Sequence, residues 1–312
     1  MNDIRQISVL VVTYNQQNVI GRALDSILQQ KDWGLKEIVV CDDCSTDNNW
    51  NIIQEYVRRY PGYIRAYRNP LNLGIYGNVE KTIELRGSAD LFVELSGDDT
   101  FCDGYFKEIQ KMIQIHHIDV ENDLSIICFD CCVIRPNGVR LNIRTNKKIT
   151  NSKNPYRLKF RGYIHSRGLV MTKKVLDRYH NIASNKTVTL AESLHEIQPF
   201  ECADKVYYCP FVANVYYSQI GVSTKMKDTA HYMKDEAKWD FWISNIKLCK
   251  TDYYYAMMRK FILSYACRPC FQKFIKIVKY YILSRDKEMP FAPINYFFNI
   301  RLIISSTFSN RQ

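Results

Sequence analysis

The first hundred residues alternate short apolar runs with amphipathic segments, and this alternation constrains the fold more than any other feature. The run at 7–12 is nearly continuous in apolar residues, as in a strand buried on both faces of a parallel sheet. Further strands are predicted at 36–41 and 91–95, and a weaker one at 64–67. The segments between them have the apolar spacing of helices that bury one face. Because strand–helix–strand units connect parallel strands, the pattern predicts an α/β fold with a mostly parallel central sheet and flanking helices.

Polar residues follow three of these predicted strands, at 13–15, at 42–43 and at 98–99. In open parallel sheets, ligands bind beyond the carboxyl ends of the strands, so we expect the three clusters to meet at one site. Each cluster taken alone is also typical of a polar turn whose side chains cap the next helix.

The adjacent carboxylates Asp98 and Asp99 carry the strongest chemical indication. They follow the apolar run 91–95 through Ser96 and Gly97. Two carboxylates this close repel each other, so a cation, a hydrogen-bond donor network or a proton must accompany them. A divalent metal bound to a diphosphate meets this need, because hard cations prefer carboxylate and phosphate oxygens.

The composition is that of a globular protein, but the charge is uneven. The chain has 312 residues, of which 46% are hydrophobic, and a net charge of +11. Residues 251–312 hold ten Lys or Arg against three Asp or Glu, together with fourteen Phe and Tyr. This character favours an anionic membrane surface or a phosphate-rich partner. No nucleic-acid-binding motif accompanies it, so we do not expect nucleic acid as a partner.

The eleven cysteines predict reduced thiols in a cytoplasmic protein, because their number is odd and we find no secretory signal before them. The Cys-x-x-Cys pairs of the chain include Cys41/Cys44 and Cys267/Cys270. A zinc site would need both pairs to meet in space, and the first pair encloses the acidic turn at 42–43, which disfavours zinc.

Four segments, in this order, resemble the successive motifs of the family 2 glycosyltransferases. They are Val-Val-Thr-Tyr-Asn at 11–15, Asp-Asp-Cys-Ser-Thr-Asp at 42–47, Asn-Leu-Gly-Ile-Tyr-Gly-Asn at 72–78 and Ser-Gly-Asp-Asp at 96–99. The similarity covers the first hundred residues strongly and continues more weakly to about Thr224. It implies the GT-A fold, a Rossmann-like sandwich that binds a nucleotide-diphospho-sugar and inverts the anomeric centre.

The resemblance also implies which residues bind the nucleotide of the donor. Thr13 and Asn15 would hold the nucleotide end, and Tyr14 would lie near the base. Asp42 would read the edge of the base, since a carboxylate accepts a hydrogen bond from the ring N–H of uracil or thymine.

Four further donor-side roles follow from the resemblance. Asn78 and Lys81 would contact the donor, and Lys81 is equally typical of a solvated helix lysine. Asp98 would face the ribose. Asp99 would bind the metal, Mn²⁺ or Mg²⁺, which stabilises charge on the departing nucleoside diphosphate.

The acceptor side is assigned through one general base, which inversion by direct displacement requires. The resemblance places it at Glu192, about ninety residues past the metal motif, and Glu196 and Glu201 compete for the role. Glu192 is also typical of a first-turn helix carboxylate. His165 is expected to touch the acceptor or the phosphates, or else to be satisfied by local backbone.

Four positions depart from the family pattern. They are Cys44 in place of Gly, Ser96 and Ser193 in place of Asp, and Gln219 in place of the His of the closing segment 216–224. Ser96 leaves fewer fixed charges for a metal, so we expect modest metal affinity before the donor binds. The departures also motivate an alternative, a catalytically weak or inactive member that scaffolds a membrane-associated assembly complex.

The rest of the chain is less regular. Further strands are predicted at 124–129, 205–210 and 212–216, and a helix at 173–179. The polar and basic stretch 140–159 has no clear period, and we interpret it as a long loop over the acceptor side.

A helix predicted between Phe271 and Arg285 is amphipathic. Its apolar residues fall on one arc, and Lys273, Lys276 and Lys279 fall on the opposite arc. This pattern is typical of a helix in a membrane interface, and equally of a helix that packs on the catalytic domain with its lysines in solvent.

Together these features predict a GT-A catalytic domain at 1–226 and a basic, aromatic helical extension at 227–312. We expect a cytoplasmic, metal-dependent glycosyltransferase with peripheral contact at the inner face of the cell membrane. Its donor would be a UDP-sugar and its acceptor a glycan or lipid-linked hydroxyl in bacterial surface polysaccharide synthesis.

Overall fold

The computed structural model describes five stretches of the chain, residues 4–144, 154–165, 167–178, 197–218 and 228–286. The expectations placed on Glu192, Ser193, Glu196 and Gln219 lie outside the described residues.

The chain divides into two compact units. The first comprises 1–155, 164–183 and 195–224, and the second comprises 156–163, 184–194 and 225–312. Residues 156–163 therefore belong to the second unit, although they precede the expected domain boundary at 226.

The predicted alternation of strands and helices opens the first unit. Its strands are β1 (Ile7–Thr13), β2 (Leu35–Asp42), β3 (Ile64–Arg68) and β4 (Leu91–Ser96). Its helices are α1 (Ile20–Leu28), α2 (Asn49–Arg59) and α3 (Gly74–Glu84), and a short 3-10 turn at Lys31–Trp33 follows α1.

The middle of the chain adds shorter elements. The strands are β5 (Thr100–Phe101), β6 (Ser125–Ile134), β7 (Arg140–Ile143), β8 (Val170–Thr172) and β9 (Lys205–Tyr217). The helices are α4 (Tyr105–His116), α5 (Pro155–Phe160), α6 (Lys173–Asp177) and α7 (Gln198–Cys202).

One sheet joins these strands in the order β3-β2-β1-β4-β8-β6-β9-β5, and β7 pairs with β6. The parallel pairs are β1 with β2 and β4, β2 with β3, and β6 with β9. Because β8 is antiparallel to both β4 and β6, those two strands run the same way. Six of the described strands thus share one direction, as the sequence predicts.

Strands β1 and β2 are buried in the hydrophobic core of the first unit. Val9, Val11 and Val40 are inaccessible to solvent, and Leu24 and Ile27 of α1 join them in one hydrophobic cluster. Burial of each such side chain contributes about 1.5–3 kcal/mol to the stability of the fold. The loops that leave the carboxyl ends of these strands therefore start from a fixed position.

The two strands predicted at 205–210 and 212–216 form the single strand β9. Its register with β6 shifts after Cys209 and again after Val212, and it is regular from Asn214 onward. Proline has no N–H to give to a ladder, so Pro210 is accommodated in a bulge. The break in the sequence pattern is a bulge and not the end of a strand.

The prediction of a loop at 140–159 is wrong at both ends of the stretch that the structure describes. Strand β7 pairs antiparallel with the end of β6, and α5 begins at Pro155. Most β7 side chains are exposed, so the strand lacks the alternation of apolar and polar residues that would reveal it in a sequence. Its backbone hydrogen bonds to β6 define it instead.

The second unit is helical in its described part. Its long helices are α8 (Asp228–Asn245), α9 (Lys250–Cys267) and α10 (Phe271–Leu283). Phe160 lies 5.5 Å from Trp239 and 5.7 Å from Trp242 between ring centroids, and Tyr255 of α9 joins this aromatic core. Among the described helices, none has both the length and the apolar character needed to span a bilayer.

A buried network of ions stabilises the same unit. Arg161, fully buried, donates from Nε to Oδ1 of Asp252 at 2.6 Å, and Arg157 donates from Nε to Oδ2 at 2.6 Å. Arg157 also donates to Asp286 at 2.6 Å. The pairs connect α5, the start of α9 and the segment after α10, which are distant in sequence.

Candidate functional site

The carboxyl ends of β1, β2 and β4 lie side by side at one edge of the sheet. Thr13 stands opposite Asp42 in the register of β1 and β2, and Val12 stands opposite Ser96 in that of β1 and β4. A Cβ at Gly97 would lie 2.9 Å from both Cβ and Oγ1 of Thr13. The three polar clusters singled out in the sequence are therefore brought together.

Asp42 is fully buried, and both of its carboxylate oxygens accept hydrogen bonds from the protein. Oδ1 accepts from Asn49 Nδ2 at 2.7 Å and from the Ser45 hydroxyl, and Oδ2 accepts from the Ser45 backbone N–H at 3.0 Å. Arg68 Nε lies 3.5 Å from Oδ2. Through these contacts the Asp42 side chain stabilises the conformation of the loop after β2.

Asn15 joins the loops that follow β1 and β2. Its backbone N–H donates to Ser45 Oγ at 2.9 Å, and its Oδ1 accepts from the Thr46 N–H at 2.8 Å. Its φ of 52° lies in the left-handed region, which Asn tolerates better than most residues. Tyr14 beside it is half-buried, and Thr13 Oγ1 donates to Gln16 Oε1 at 2.7 Å.

Cys44 also adopts the left-handed conformation, with φ of 59°. A side chain at such a position costs about 1–3 kcal/mol, whereas Gly adopts the conformation freely. The turn thus has a backbone geometry suited to Gly, although Cys occupies the position.

A second polar cluster connects β2 to the segment before α3. Asp43 Oδ1 accepts from Asn69 Nδ2 at 2.9 Å and from the Leu73 N–H at 2.8 Å. Asn69 also donates to Asn78 Oδ1 at 2.9 Å, and Asn78 donates to the Cys41 carbonyl at 3.0 Å. Asn78 is thus buried at the edge, and both its amide oxygen and its amide nitrogen form hydrogen bonds within the protein. Asn69 was not predicted as a site residue.

Lys81 lies on α3 with its side chain 43% exposed, and its Nζ is 3.0 Å from Glu84 Oε2. Its charge still acts on the Cys41 thiol at the end of β2, whose pKa burial raises to about 11 and the Lys81 charge lowers slightly. The structure therefore places Lys81 beside the site with its ammonium paired to Glu84.

Asp98 and Asp99 are each about 95% buried. Burial, and after it the charge of Asp98, raises the pKa of Asp99 to about 7. The charges of Arg167 and Arg22 and a hydrogen bond from the Tyr217 N–H, 3.2 Å from Oδ1, act in the opposite direction. The carboxylate pair therefore sits where an added positive charge would be stabilising.

Arg22 and Arg167 complete this edge, and neither was predicted as a site residue. Arg22 of α1 donates from Nη2 to the Asp98 carbonyl at 2.9 Å, and its Cζ lies 3.6 Å from the centroid of the Tyr217 ring. Cζ of Arg167 lies 3.8 Å from the centroid of the Tyr216 ring. No local signal distinguishes Arg22 from any polar residue of an amphipathic helix.

The described residues contain no group of three or more His, Cys, Asp or Glu side chains placed to hold a metal ion. Asp98 and Asp99 can supply carboxylate oxygens, which suit Mn²⁺ or Mg²⁺. The remaining ligands would have to come from water and from a ligand's phosphate oxygens, so the residues fit a metal that is held jointly with a diphosphate.

The acceptor-side residues are only partly described. His165 is half-buried, and its Nδ1 accepts from the Arg167 N–H at 3.3 Å. Glu201 is exposed on the short helix α7. Glu192 and Glu196 lie outside the described residues, so the choice of base stays a prediction.

The sequence model of glycosyl transferase family 2 matches residues 8–178, more than half of the chain. The fold and the sheet edge define an α/β protein with a mostly parallel sheet and polar residues gathered at the carboxyl ends of its strands. The chain belongs to glycosyl transferase family 2, as its four motifs predict.

Three relatives illustrate the range of similar sequences. The dolichyl-phosphate beta-glucosyltransferase of Dictyostelium discoideum is 30% identical over 131 residues, which are 39% of this chain and 38% of that protein. The putative glycosyltransferase EpsE of Bacillus subtilis is 29% identical over 101 residues, 32% of this chain and 35% of EpsE. An uncharacterized protein of Mycobacterium tuberculosis is 26% identical over 133 residues, 43% of this chain and 37% of that protein. The chain thus spans little more than a third of the length of these relatives.

Solved structures of TarS from S. aureus share the fold. TarS 1-349 in complex with UDP-GlcNAc superposes with a TM-score of 0.58 at 16% identity, over 88% of this chain and 79% of TarS 1-349. A further TarS structure gives 0.58 at 15% identity, over 91% of this chain and 50% of TarS. This likeness confirms the predicted GT-A fold.

Proposed function

We propose that the protein is a glycosyltransferase that moves a sugar from a nucleoside-diphosphate sugar to a hydroxyl of a glycan or lipid-linked acceptor in bacterial surface polysaccharide synthesis. The observation that carries this proposal is the meeting of Thr13, Asp42–Asp43 and Asp98–Asp99 at one edge of the sheet in a family 2 chain. A further relative, the poly(ribitol-phosphate) beta-N-acetylglucosaminyltransferase TarS of Staphylococcus aureus, supports a polymeric acceptor at 28% identity over 114 residues.

The donor is best taken as a UDP-sugar, because the TarS structure of the same fold holds UDP-GlcNAc. Asp42 has both oxygens engaged with the protein, so we assign it to shaping the base pocket. Asp43 uses only Oδ1 in the described part of the chain, which leaves Oδ2 to accept from a ring N–H of the base. Thr13, Tyr14 and Asn15 would frame the same end of the donor.

The phosphate end of the donor would lie at Asp98 and Asp99. Asp99, with Asp98 beside it, would hold Mn²⁺ or Mg²⁺, and a bound metal acts as a Lewis acid on the leaving diphosphate. Asp98 would also accept from the ribose hydroxyls. The acceptor hydroxyl oxygen would attack the anomeric carbon from the face opposite the diphosphate, which leaves, so that the centre is inverted. Glu192 would take the proton of that hydroxyl.

Calorimetric titration with UDP in the presence of Mn²⁺ tests the donor assignment. UDP should bind the wild-type chain, and Asp99→Asn should weaken binding about tenfold or more, because a charge-assisted contact is lost. Asp103→Asn removes a nearby exposed carboxylate and should leave affinity unchanged. Wild-type protein that binds no nucleoside diphosphate with either metal would favour the alternative of an inactive scaffold.

The partner of the second unit is proposed to be an anionic membrane surface. The apolar arc of α10 faces solvent, with 41% to 76% of each side chain exposed; its residues are Phe271, Phe274, Ile275, Val278 and Ile282. Ile277, on the other side of the helix, is buried. At about 100° per residue the exposed side chains share one stripe, and exposed Lys279 lies nearest to it on the lysine arc. An exposed apolar stripe on a helix that also carries lysines fits a bilayer with anionic headgroups at the inner face of the membrane.

Sedimentation with vesicles tests the membrane proposal. The protein should bind vesicles that contain phosphatidylglycerol, and the double variant Phe271→Gln/Ile275→Gln should bind about tenfold less. A matched pair, Ile115→Gln/Leu141→Gln, removes two exposed apolar side chains of the first unit and should have no effect. If the α10 variant instead changes only self-association of the protein, the face binds a second copy and the membrane proposal is wrong.

A further inference from the structure

Two guanidinium groups flank the acidic pair at the sheet edge. The Arg22 group is held by its hydrogen bond to the Asp98 carbonyl and by stacking on Tyr217. The Arg167 group is held by stacking on Tyr216. Because Tyr216 and Tyr217 are consecutive residues at the end of β9, one strand fixes the position of both cations.

Neither guanidinium forms an ion pair with a carboxylate in the part of the chain that the structure describes. Arg68, at the same edge, does so, with its Nε 3.5 Å from Oδ2 of Asp42. Arg22 and Arg167 act on Asp99 only through longer-range attraction, which lowers its pKa against the effect of burial. Nε of Arg22 is buried and has no hydrogen-bond partner in the described chain.

A half-buried arginine without a carboxylate partner leaves N–H donors unused. The planar guanidinium suits phosphate oxygens, which it can bind through two parallel hydrogen bonds. Stacking on a tyrosine ring fixes the plane of the guanidinium and so reduces the entropy lost when an anion binds. The edge therefore presents two oriented guanidinium groups beside two carboxylates. Without a bound metal ion, the carboxylates alone would repel an anion.

We propose that Arg22 and Arg167 bind the diphosphate oxygens of the donor directly, and that Tyr216 and Tyr217 position them for it. The inference rests on the proposed function and extends it to the residues that hold the leaving group. The two arginines supply positive charge that does not depend on a metal. Ser96 leaves the acidic motif with one carboxylate fewer than the family pattern, so a metal ion would be held less tightly. The arginine charges would offset the loss of positive charge at the diphosphate.

The experiment measures the affinity of inorganic pyrophosphate, UDP and uridine in EDTA, so that no metal contributes. Pyrophosphate and UDP should bind the wild-type chain. Arg22→Gln and Arg167→Gln should each weaken both ligands about tenfold or more and leave uridine within about twofold, since only the phosphates lose a charge-assisted contact. Arg22→Lys and Arg167→Lys should restore part of the loss. Arg58→Gln, which removes an exposed cation of α2, should change nothing.

Three outcomes would overturn the inference. The first is the absence of any pyrophosphate or UDP binding in EDTA. The second is unchanged affinity in both glutamine variants. The third is an equal loss of uridine and UDP, which would mean that the arginines only support the fold of the Asp98–Asp99 turn. The proposed function fails on a separate result, the absence of UDP binding even with Mn²⁺ or Mg²⁺.

Discussion

Gly97 lies so close to Thr13 that a Cβ on Gly97 would stand 2.9 Å from the Cβ of Thr13. Real Cβ atoms essentially never approach this closely, so the ends of β1 and β4 can meet only where residue 97 has no side chain. The distance between the acidic pair and the loop after β1 is therefore set by a glycine that carries no chemistry of its own.

We expect Gly97→Ala to weaken UDP binding about tenfold or more while the chain still folds. The added methyl group must push Thr13 away or move the Asp98–Asp99 turn, and either shift separates residues that the proposed donor site brings together. Calorimetry with UDP and Mn²⁺ measures the effect. Ser96→Ala changes an exposed neighbouring residue and serves as the control; equal affinities of the two variants would contradict this account of the close approach.

Asp42→Asn is expected to lower the free energy of unfolding by about 2–3 kcal/mol, because buried donors on Ser45 and Asn49 lose a charged acceptor. Asp43→Asn should destabilise the fold less than Asp42→Asn does. It should weaken UDP binding more, since Oδ2 of Asp43 is assigned to the base. Urea unfolding and UDP titration of both variants separate the two roles. A reversed pattern, with binding lost in Asp42→Asn alone, would restore Asp42 as the residue that reads the base.

The ion network of the second unit predicts a pH dependence. Burial opposes ionisation of Asp252, but hydrogen bonds from Arg157 and Arg161 outweigh it and hold the pKa of Asp252 below its usual value. A lowered folded-state pKa contributes stability above the unfolded value of about 3.9, and this stability is lost as pH falls through the folded pKa.

Asp252→Asn should therefore cost about 3–5 kcal/mol at neutral pH, because it leaves two arginines facing a neutral group. The difference from the wild type should shrink as the pH is lowered below about 4. Asp240→Asn, which removes the exposed carboxylate paired with half-buried Lys260, should cost at most about 1 kcal/mol. Denaturant unfolding of the three proteins at several pH values measures both effects, and a difference that does not change with pH would refute the linkage.

Thiol reactivity provides a fourth prediction. Burial raises the pKa of Cys41 and of Cys131 to about 11, so almost none of either thiol is ionised at neutral pH. Cys249 and Cys270 are exposed. Iodoacetamide should label the exposed pair first, because the thiolate is the nucleophile. Mass spectrometry of briefly treated protein checks the order, and labelling in urea should abolish the difference.

The elements that were predicted correctly from the sequence are those whose pattern of apolar and polar residues reflects their burial. The apolar runs of β1, β2 and β4 are buried on both faces as expected, and the polar clusters after them share one edge because parallel strands end together. Strand β7 was missed because its exposed side chains do not alternate. The bulge at Pro210 was interpreted as a strand end, since a proline interrupts the pattern whether or not the ladder resumes.

The sequence by itself determined the fold class, the family and the segments that build the sheet edge, since these follow from periodicity and from motifs whose residues are close along the chain. Only the tertiary structure decided how the side chains of that edge are used. Asn78 donates to the Cys41 carbonyl from 37 positions away, and Arg22 donates to the Asp98 carbonyl from 76 positions away. Such contacts depend on packing between distant elements, so no local pattern records them.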